Sequence, residues 1–411
     1  MASQIFTNIS LLVNTREEDE LLRGKSLKHL PVIKNAYIII EDERIAEYGA
    51  MEMLKYPVTQ WLKVDKDCIV FPCWCDSHTH LVFAGSRENE FVEKLKGKSY
   101  AEIAANGGGI LNSAKKLQGT SEDELFVQTW KRLEEVSQSG TGAIEIKSGY
   151  GLTLEAELRI LRVIKRLKEK SRLQIKSTFL GAHTFPLEYK ENHEGYVRIL
   201  INEMLPVIAK EKLADYIDVF CETGFFSAEE MERIGSAGYQ YGLKPKLHVN
   251  QLNSIGGIEK GIELHAVSLD HLETLTSREI ELLGKFKGCS TLLPTAAFFL
   301  GMPCQPARSL IDAGAAVTLA SDYNPGSSPS GNMNFVVSLS CIQMKMLPEE
   351  AFNAATINGA FAMEVEKDCG SIKVGKLANL IFTKPVPSLG YLPYSFGANL
   401  IDKVMINGSF I

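Results

Sequence analysis

Eight short apolar runs recur between Cys68 and Asp322, each followed by a longer amphipathic or loop-like stretch. They read "CIVFPCWCD", "GAIEIKS", "LQIKSTFLGAH", "YIDVFCETG", "LKPKLHVNQ", "AVSLDHL", "CSTLLPTAA" and "AAVTLASD". Short apolar runs bounded by turn residues read as buried strands. The intervening segments carry the helical period instead. In "TLEAELRILRVIKRLKEKSR", Leu154, Leu158, Leu161, Ile164 and Leu167 fall on one stripe. "SAEEMERIGSAGYQYG" ends on glycine, and "TSREIELLGKF" opens on a threonine suited to an N-cap. Eight such units in succession predict an α/β chain folded as a TIM (β/α)8 barrel. A doubly wound sheet would carry a glycine-rich phosphate loop after its first strand. "HTHLVFAG" is not one.

The texture differs at both ends. "QIFTNISLLVN" and "NAYIIIEDERIAEYG" read as β-material with a charged turn at Glu41–Arg44, and "GSIKVGKLANLIFT" and "LIDKVMINGSFI" read likewise. The simplest arrangement pairs the two ends in one small β-sandwich. Residues 1–64 and 361–411 would then flank a barrel of residues 65–360.

Composition narrows the function classes. The 411 residues are 45% hydrophobic and 23% charged, with a net charge of −6. That mild acidity offers no basic field to nucleic acid or to an anionic membrane. No apolar run is long enough to span a bilayer, and the start lacks a signal-peptide pattern. Eight scattered cysteines are too few for a disulfide scaffold and point to reduced thiols in the cytoplasm.

Chemistry in a barrel gathers where its strands end. The first predicted strand ends on His78 and His80, the fifth on His248, the sixth on His271 and the eighth on Asp322. Residues two apart on a strand face the same way, so His78 and His80 can grip one ion. Another histidine and a carboxylate would complete a site for a divalent metal such as zinc. Each residue alone has a structural explanation: Asp322 as a turn former in "SDYNPG", His248 and His271 as hydrogen-bonded core histidines. Their joint placement at strand ends favours the metal. In "CWCDSHTH", Cys73 and Cys75 have the opposite strand parity to the histidines, so a closed four-ligand zinc knot would need a turn that "DS" does not demand. The glycines of "NGGGILNSAKK" could cradle an anion at a helix start or form a mobile loop.

This strand pattern resembles the amidohydrolase superfamily, whose metal-dependent barrel stands beside a sandwich built from both chain ends. The resemblance covers nearly the whole chain. It is most specific in "HTHLVFAGSRENEF", "EIKSGYGL", "FLGAHTFP", "HVNQLNSIGG", "DHLE" and "ASDYNPGSS". These stretches look like the branch that hydrolyses the cyclic amide of 4-imidazolone-5-propanoate in histidine degradation. The resemblance implies one Zn or Fe ion on His78, His80, His248 and Asp322. It implies a pocket for this small molecule from Arg87, Tyr150, His183, Gln251, Asn324, Gly326 and Ser327, and a homodimer. A fixed arginine suits the substrate carboxylate, and His183 could donate to a developing oxyanion. Asp322 is the first candidate to accept the water proton, with His271 orienting or sharing it.

Two departures bear on the alternatives. Strand four, "IDVFCETG", lacks the bridging lysine of binuclear members. Gln251 stands where many aromatic deaminases carry a glutamate. The first argues for one metal and against a dihydroorotase or urease type. The second weighs against a guanine or cytosine deaminase, and a polar pocket with an open metal position weighs against a metal-stabilised binding protein without turnover.

Overall fold

The computed structural model describes residues 4–57, 59, 61–98 and 108–411. Its centre is an eight-stranded parallel sheet whose strands follow chain order. Counting the terminal strands β1–β5 first, these are β6 (Trp74–Thr79), β7 (Thr141–Lys147), β8 (Gln174–Ala182), β9 (Tyr216–Cys221), β10 (Lys244–Val249), β11 (Ser268–His271), β12 (Cys289–Leu292) and β13 (Val317–Leu319). A parallel bridge between Thr79 and Tyr323 brings the last strand back to the first. The Asp322 amide donates to the His78 carbonyl at 3.0 Å and the His80 amide to the Tyr323 carbonyl at 2.9 Å. The predicted barrel is therefore present.

Its helices form for the reasons their sequences suggest. Leu154–Lys170 begins at Thr153, whose hydroxyl accepts from the Ala156 amide, and buries Leu158, Leu161, Ile164 and Leu167. Ala228–Gln240 and Ser277–Lys285 open with reciprocal caps, Ser227 with Glu230 and Thr276 with Glu279.

Both chain ends share the second sheet. It comprises β1 (Gln4–Val13), β2 (Val32–Glu41), β3 (Arg44–Ala50), β4 (Trp61–Lys63), β5 (Ile69–Pro72), β14 (Leu380–Thr383), β15 (Ile401–Ile406) and β16 (Ser409–Phe410). β14 pairs antiparallel with β5, which joins tail to head. The sheet curls around its own core: the Phe6 ring lies 5.8 Å from Phe410 across three intervening strands. Its tight turns use positive φ at both central residues, Asp42 with Glu43 and Asn407 with Gly408, as two-residue hairpins require.

The run "CIVFPCWCD", read above as one barrel strand, is two. Ile69–Pro72 belongs to the terminal sheet and Trp74–Thr79 to the barrel. Cys73 is the hinge, its amide donating to the Asn379 carbonyl at 2.9 Å. Every residue on both sides of the break is buried, so no change of polarity marks it in the sequence.

Candidate metal centre and substrate cavity

His78 and His80 leave the end of β6 side by side and wholly buried. Asp322 reaches them from beyond β13, with Oδ1 3.6 Å from His78 Nε2 and 3.4 Å from His80 Nε2. Its backbone is left-handed, φ 52°. Two sets of ligating atoms converge within 4.8 Å: His78, His80 and Asp322 in one, His78, His248 and His271 in the other. His78 is common to both, so the two sets adjoin at its ring. His271, expected among the strand-end groups and as a proton-sharing residue, belongs to one of these sets.

The donor set fits a divalent ion. His78 Nε2 and His80 Nδ1 are buried and have no hydrogen-bond partner among the described residues. Buried polar atoms are rarely left so. The outer faces of the histidines are fixed: His78 Nδ1 meets Asp270 Oδ2 at 2.6 Å and His248 Nδ1 meets Asp218 Oδ2 at 2.8 Å. A carboxylate oxygen accepts, so Nδ1 carries the proton in each and Nε2 presents a lone pair inward, as metal-binding histidines do. Burial, with Lys147 and the neighbouring histidines, pushes the His78 imidazole well below its ordinary range and keeps it neutral. Burial likewise lowers His248 to about 4 despite Asp218. Burial opposes ionisation of Asp322, but its bond to His80 prevails and the carboxyl lies below its usual range.

His80, Tyr150, His183, Gln251, Asn324 and Ser327 line the cavity over this centre, with Phe220, His248, His271 and Asp322. Arg87 and Gly326 instead line a neighbouring cavity of about 560 Å³. The predicted pocket thus divides, and Arg87 stands between its parts: its Cζ lies 5.9 Å from the Tyr150 ring. Arg87 Nε donates to the Ser113 hydroxyl at 2.8 Å. Nη2 is buried without a hydrogen-bond partner among the described residues. Gly326 admits the guanidinium, since a Cβ there would fall 2.5 Å from Arg87 Nη1.

Other predicted residues have defined settings. His183 stacks on His80 at 5.3 Å, and its Nδ1 meets the Gly149 carbonyl at 3.1 Å. A carbonyl only accepts, so Nδ1 is the donor. Burial drives the His183 pKa well below its ordinary value, and the neutral ring then offers an acceptor at Nε2. Asn324 uses its whole amide on its own loop: Oδ1 accepts from the Gly326 and Ser327 amides, and Nδ2 donates to the Asp322 carbonyl and the Ser327 hydroxyl. The Ser327 hydroxyl donates to Asp322 Oδ2 at 3.1 Å. Gln251 sits in a loop held by buried Glu222, which accepts from the Leu252 and Asn253 amides.

The cysteines stay apart from this centre. All eight are free, and Cys75 packs outward against Gly359. Burial raises the Cys73 and Cys75 thiols well above their ordinary range. Of the glycine run, Gly107 lies outside the described residues. The Gly109 amide, opening helix Gly109–Gln118, already donates to both Glu90 carboxylate oxygens at 3.1 Å.

Asp218, Asp270 and Glu273 were missed in the sequence. The signal for the first two is a lone carboxylate inside a run otherwise read as apolar, as Asp218 and Asp270 are. Glu273 follows His271 by two residues, contacting its Nδ1 at 3.3 Å and accepting from Gln305 Nε2 at 2.9 Å.

Known proteins agree with this architecture. Residues 69–411 match the amidohydrolase family. The imidazolonepropionase of Flavobacterium johnsoniae is 54% identical over 408 residues, covering 99% of each chain. That of Fusobacterium nucleatum is 41% identical over 414 residues, covering 100% of this chain and 99% of its own. Among solved structures, E. coli guanine deaminase superposes with a TM-score of 0.73 at 13% identity, covering 100% of this chain and 99% of its own. That likeness is one of fold. The chain belongs to the amidohydrolase family, and within it to the imidazolonepropionases.

Proposed function

We propose that this hydrolase opens 4-imidazolone-5-propanoate to N-formimidoyl-L-glutamate, with one zinc or iron ion held by His78, His80, His248 and Asp322. Water oxygen adds to the ring carbonyl carbon, the adjacent ring C–N bond breaks, the carbonyl becomes a carboxylate and the released nitrogen takes a proton. When bound, a divalent ion acidifies water and polarises a carbonyl.

The chain supplies the rest. Asp322 accepts the proton of the attacking water. The Ser327 hydroxyl steadies its Oδ2 and leaves Oδ1 toward the histidines. His271, held at Nδ1 by Glu273, takes the proton from Asp322 at Nε2 and passes it to the departing nitrogen. His183 accepts from a ring N–H through Nε2, Tyr150 and Gln251 flank the ring, and Arg87 takes the propionate from beyond Tyr150. Gly326 leaves room for that guanidinium. A homodimer is part of the same proposal. So is a cytoplasmic setting, which the free thiols favour; no described helix is long and apolar enough to cross a membrane.

The observation that carries this reading is one buried cluster of ligating atoms beside an arginine with an unpartnered nitrogen. Metal analysis of the purified protein, with spectroscopic assay of imidazolone-propanoate loss and of ammonia release from guanine and cytosine, tests it. Imidazolone turnover with about one equivalent of metal is expected. Ammonia release without it would place the enzyme among the deaminases.

A further inference from the structure

Beneath the metal centre lies a layer of charge that the proposed chemistry does not use. Glu145 and Lys147 on β7, Asp218 on β9, Lys246 on β10 and Asp270 on β11 all point into the barrel and are essentially inaccessible. Burying charge is expensive, and apolar side chains of similar volume usually pack there at lower free energy. The cluster therefore calls for a role beyond filling space.

Its contacts single out one member. Lys147 Nζ lies 2.7 Å from Glu145 Oε1, 2.9 Å from Asp218 Oδ2 and 3.7 Å from Asp270 Oδ2. The latter two oxygens are the same atoms that receive His248 Nδ1 and His78 Nδ1. One ammonium thus stands behind both outer carboxylates of the centre, on strands that are not adjacent to its own. Lys246 is equally buried, but its salt bridge goes to Glu145 Oε2 at 2.8 Å and its hydrogen bond to the Ala362 carbonyl at 2.7 Å. Among the described residues it makes no ion pair within 4.0 Å with Asp218 or Asp270.

We infer that Lys147 is a positioning residue of the metal centre: it fixes Asp218 and Asp270 together, and through them sets the ring orientation and tautomer of His248 and His78. The inference rests on the ligand set proposed above. Without the ammonium the two carboxylates lose a shared anchor. Asp270, whose Oδ1 has no hydrogen-bond partner among the described residues, can swing from His78, and Asp218 is left with the His248 backbone amide at 3.0 Å as its remaining support. The ring can then turn or change tautomer, and Nε2 no longer faces the ion.

The test compares Lys147→Met with Lys246→Met in the full-length, zinc-loaded protein. Zinc retention is read by competition with a chelator, and ligand geometry by the visible spectrum after cobalt substitution. Lys147→Met should keep the far-UV circular dichroism of the wild type, lose zinc affinity by roughly 10- to 100-fold, and shift the cobalt bands. Lys246→Met removes an equally buried ammonium and should lower the melting temperature while leaving zinc affinity and cobalt spectrum near those of the wild type. Lys147→Gln, whose NH2 group keeps two of the three N–H donors, should fall between wild type and Lys147→Met, and replaces Lys147→Met if that variant does not fold. Wild-type affinity in the folded Lys147 variants, or an equal loss in Lys246→Met, overturns the inference. So does failure of both Lys147 variants to fold, which would make the residue one of assembly. A wild-type protein that binds no zinc or cobalt fails the ligand assignment itself, separately from any effect of Lys147.

Discussion

Asp322 Oδ1 stands 3.4 Å from His80 Nε2, so the far end of the barrel sheet supplies the carboxylate that meets histidines from its first strand. The contact spans the closing seam, where Asp322 also bonds the His78 carbonyl through its amide. An Asp322→Asn substitution keeps the amide and the loop but removes the basic oxygen. Turnover should fall by about 10²- to 10⁴-fold, the range for losing a positioned acid or base, with circular dichroism unchanged. Near-normal turnover of metal-loaded Asp322→Asn would remove Asp322 as the proton acceptor.

Arg87 offers a different kind of test because its unpartnered nitrogen has no structural duty among the described residues. Arg87→Met should raise KM for imidazolone-propanoate strongly. The loss of one charge-assisted pair is worth about 1.5–3 kcal/mol, or roughly 10- to 150-fold in kcat/KM. Arg87→Lys should recover little, since an ammonium cannot form the planar fork. An imidazolone lacking the propionate should be insensitive to both substitutions, and steady-state kinetics on the two substrates checks this.

Much of this architecture is legible in the sequence, and what is hidden has physical reasons. The barrel declares itself because most buried parallel strands are largely apolar runs and helices such as Leu154–Lys170 show an uninterrupted stripe. The strand-end histidines stand out because polar residues at the ends of such runs need an explanation. The split at Cys73 is invisible because both strands are buried on both faces. The charged layer is concealed for a related reason. Glu145, Lys147 and Lys246 sit in runs where a lone charge reads as a strand's solvent face, whereas a barrel turns that face inward. Lys246 lies two residues before His248 and so shares its face. The direction of His183 is also beyond sequence, because it depends on a carbonyl at Gly149, whose φ is +114°.

Asp19 and Lys376 join the N-terminal segment to the tail at 2.6 Å, and Lys373 meets the same carboxylate at 2.9 Å. Lys376 is nearly inaccessible, and burial holds its pKa below the ordinary value even beside Asp19. Burial raises the Asp19 pKa, but its two lysines outweigh it and leave the carboxyl below its usual range. A lowered carboxylate contributes stability above its unfolded pKa, about 3.9, and loses it as pH falls through the folded value. Lys376 stays protonated in both states over that window, so the acid limb belongs to Asp19. Asp19→Asn should destabilise the protein by about 2–4 kcal/mol at neutral pH, because it strips a buried ammonium of its counter-ion. The gap to wild type should narrow as pH falls below the unfolded value of about 3.9 and through the lower folded one. Denaturant melts from neutral pH into acid check it; a gap that widens toward acid would contradict the assignment.

Glu157 controls the loop that presents Tyr150. Its buried carboxylate accepts from the amides of Gly149 at 3.0 Å, Gly151 at 2.6 Å and Leu152 at 3.0 Å. The Gly149 carbonyl in turn holds His183 Nδ1. One side chain therefore sets two walls of the substrate cavity without touching it. The loop has little freedom to find another arrangement, since a Cβ at Gly149 would fall 2.9 Å from His183 Nδ1. Glu157→Ala leaves three buried amides without their acceptor, and each unsatisfied group costs about 1–3 kcal/mol before the loop relaxes to reach water. The loop should relax rather than bear that cost. Fast hydrogen exchange at Gly149, Gly151 and Leu152, a raised KM and unchanged zinc content are the expected result. Glu157→Gln, whose amide oxygen still accepts, should restore part of the protection and part of the KM. If Glu157→Ala instead lost zinc while the loop amides stayed protected, the carboxylate would be supporting the metal centre and not the loop.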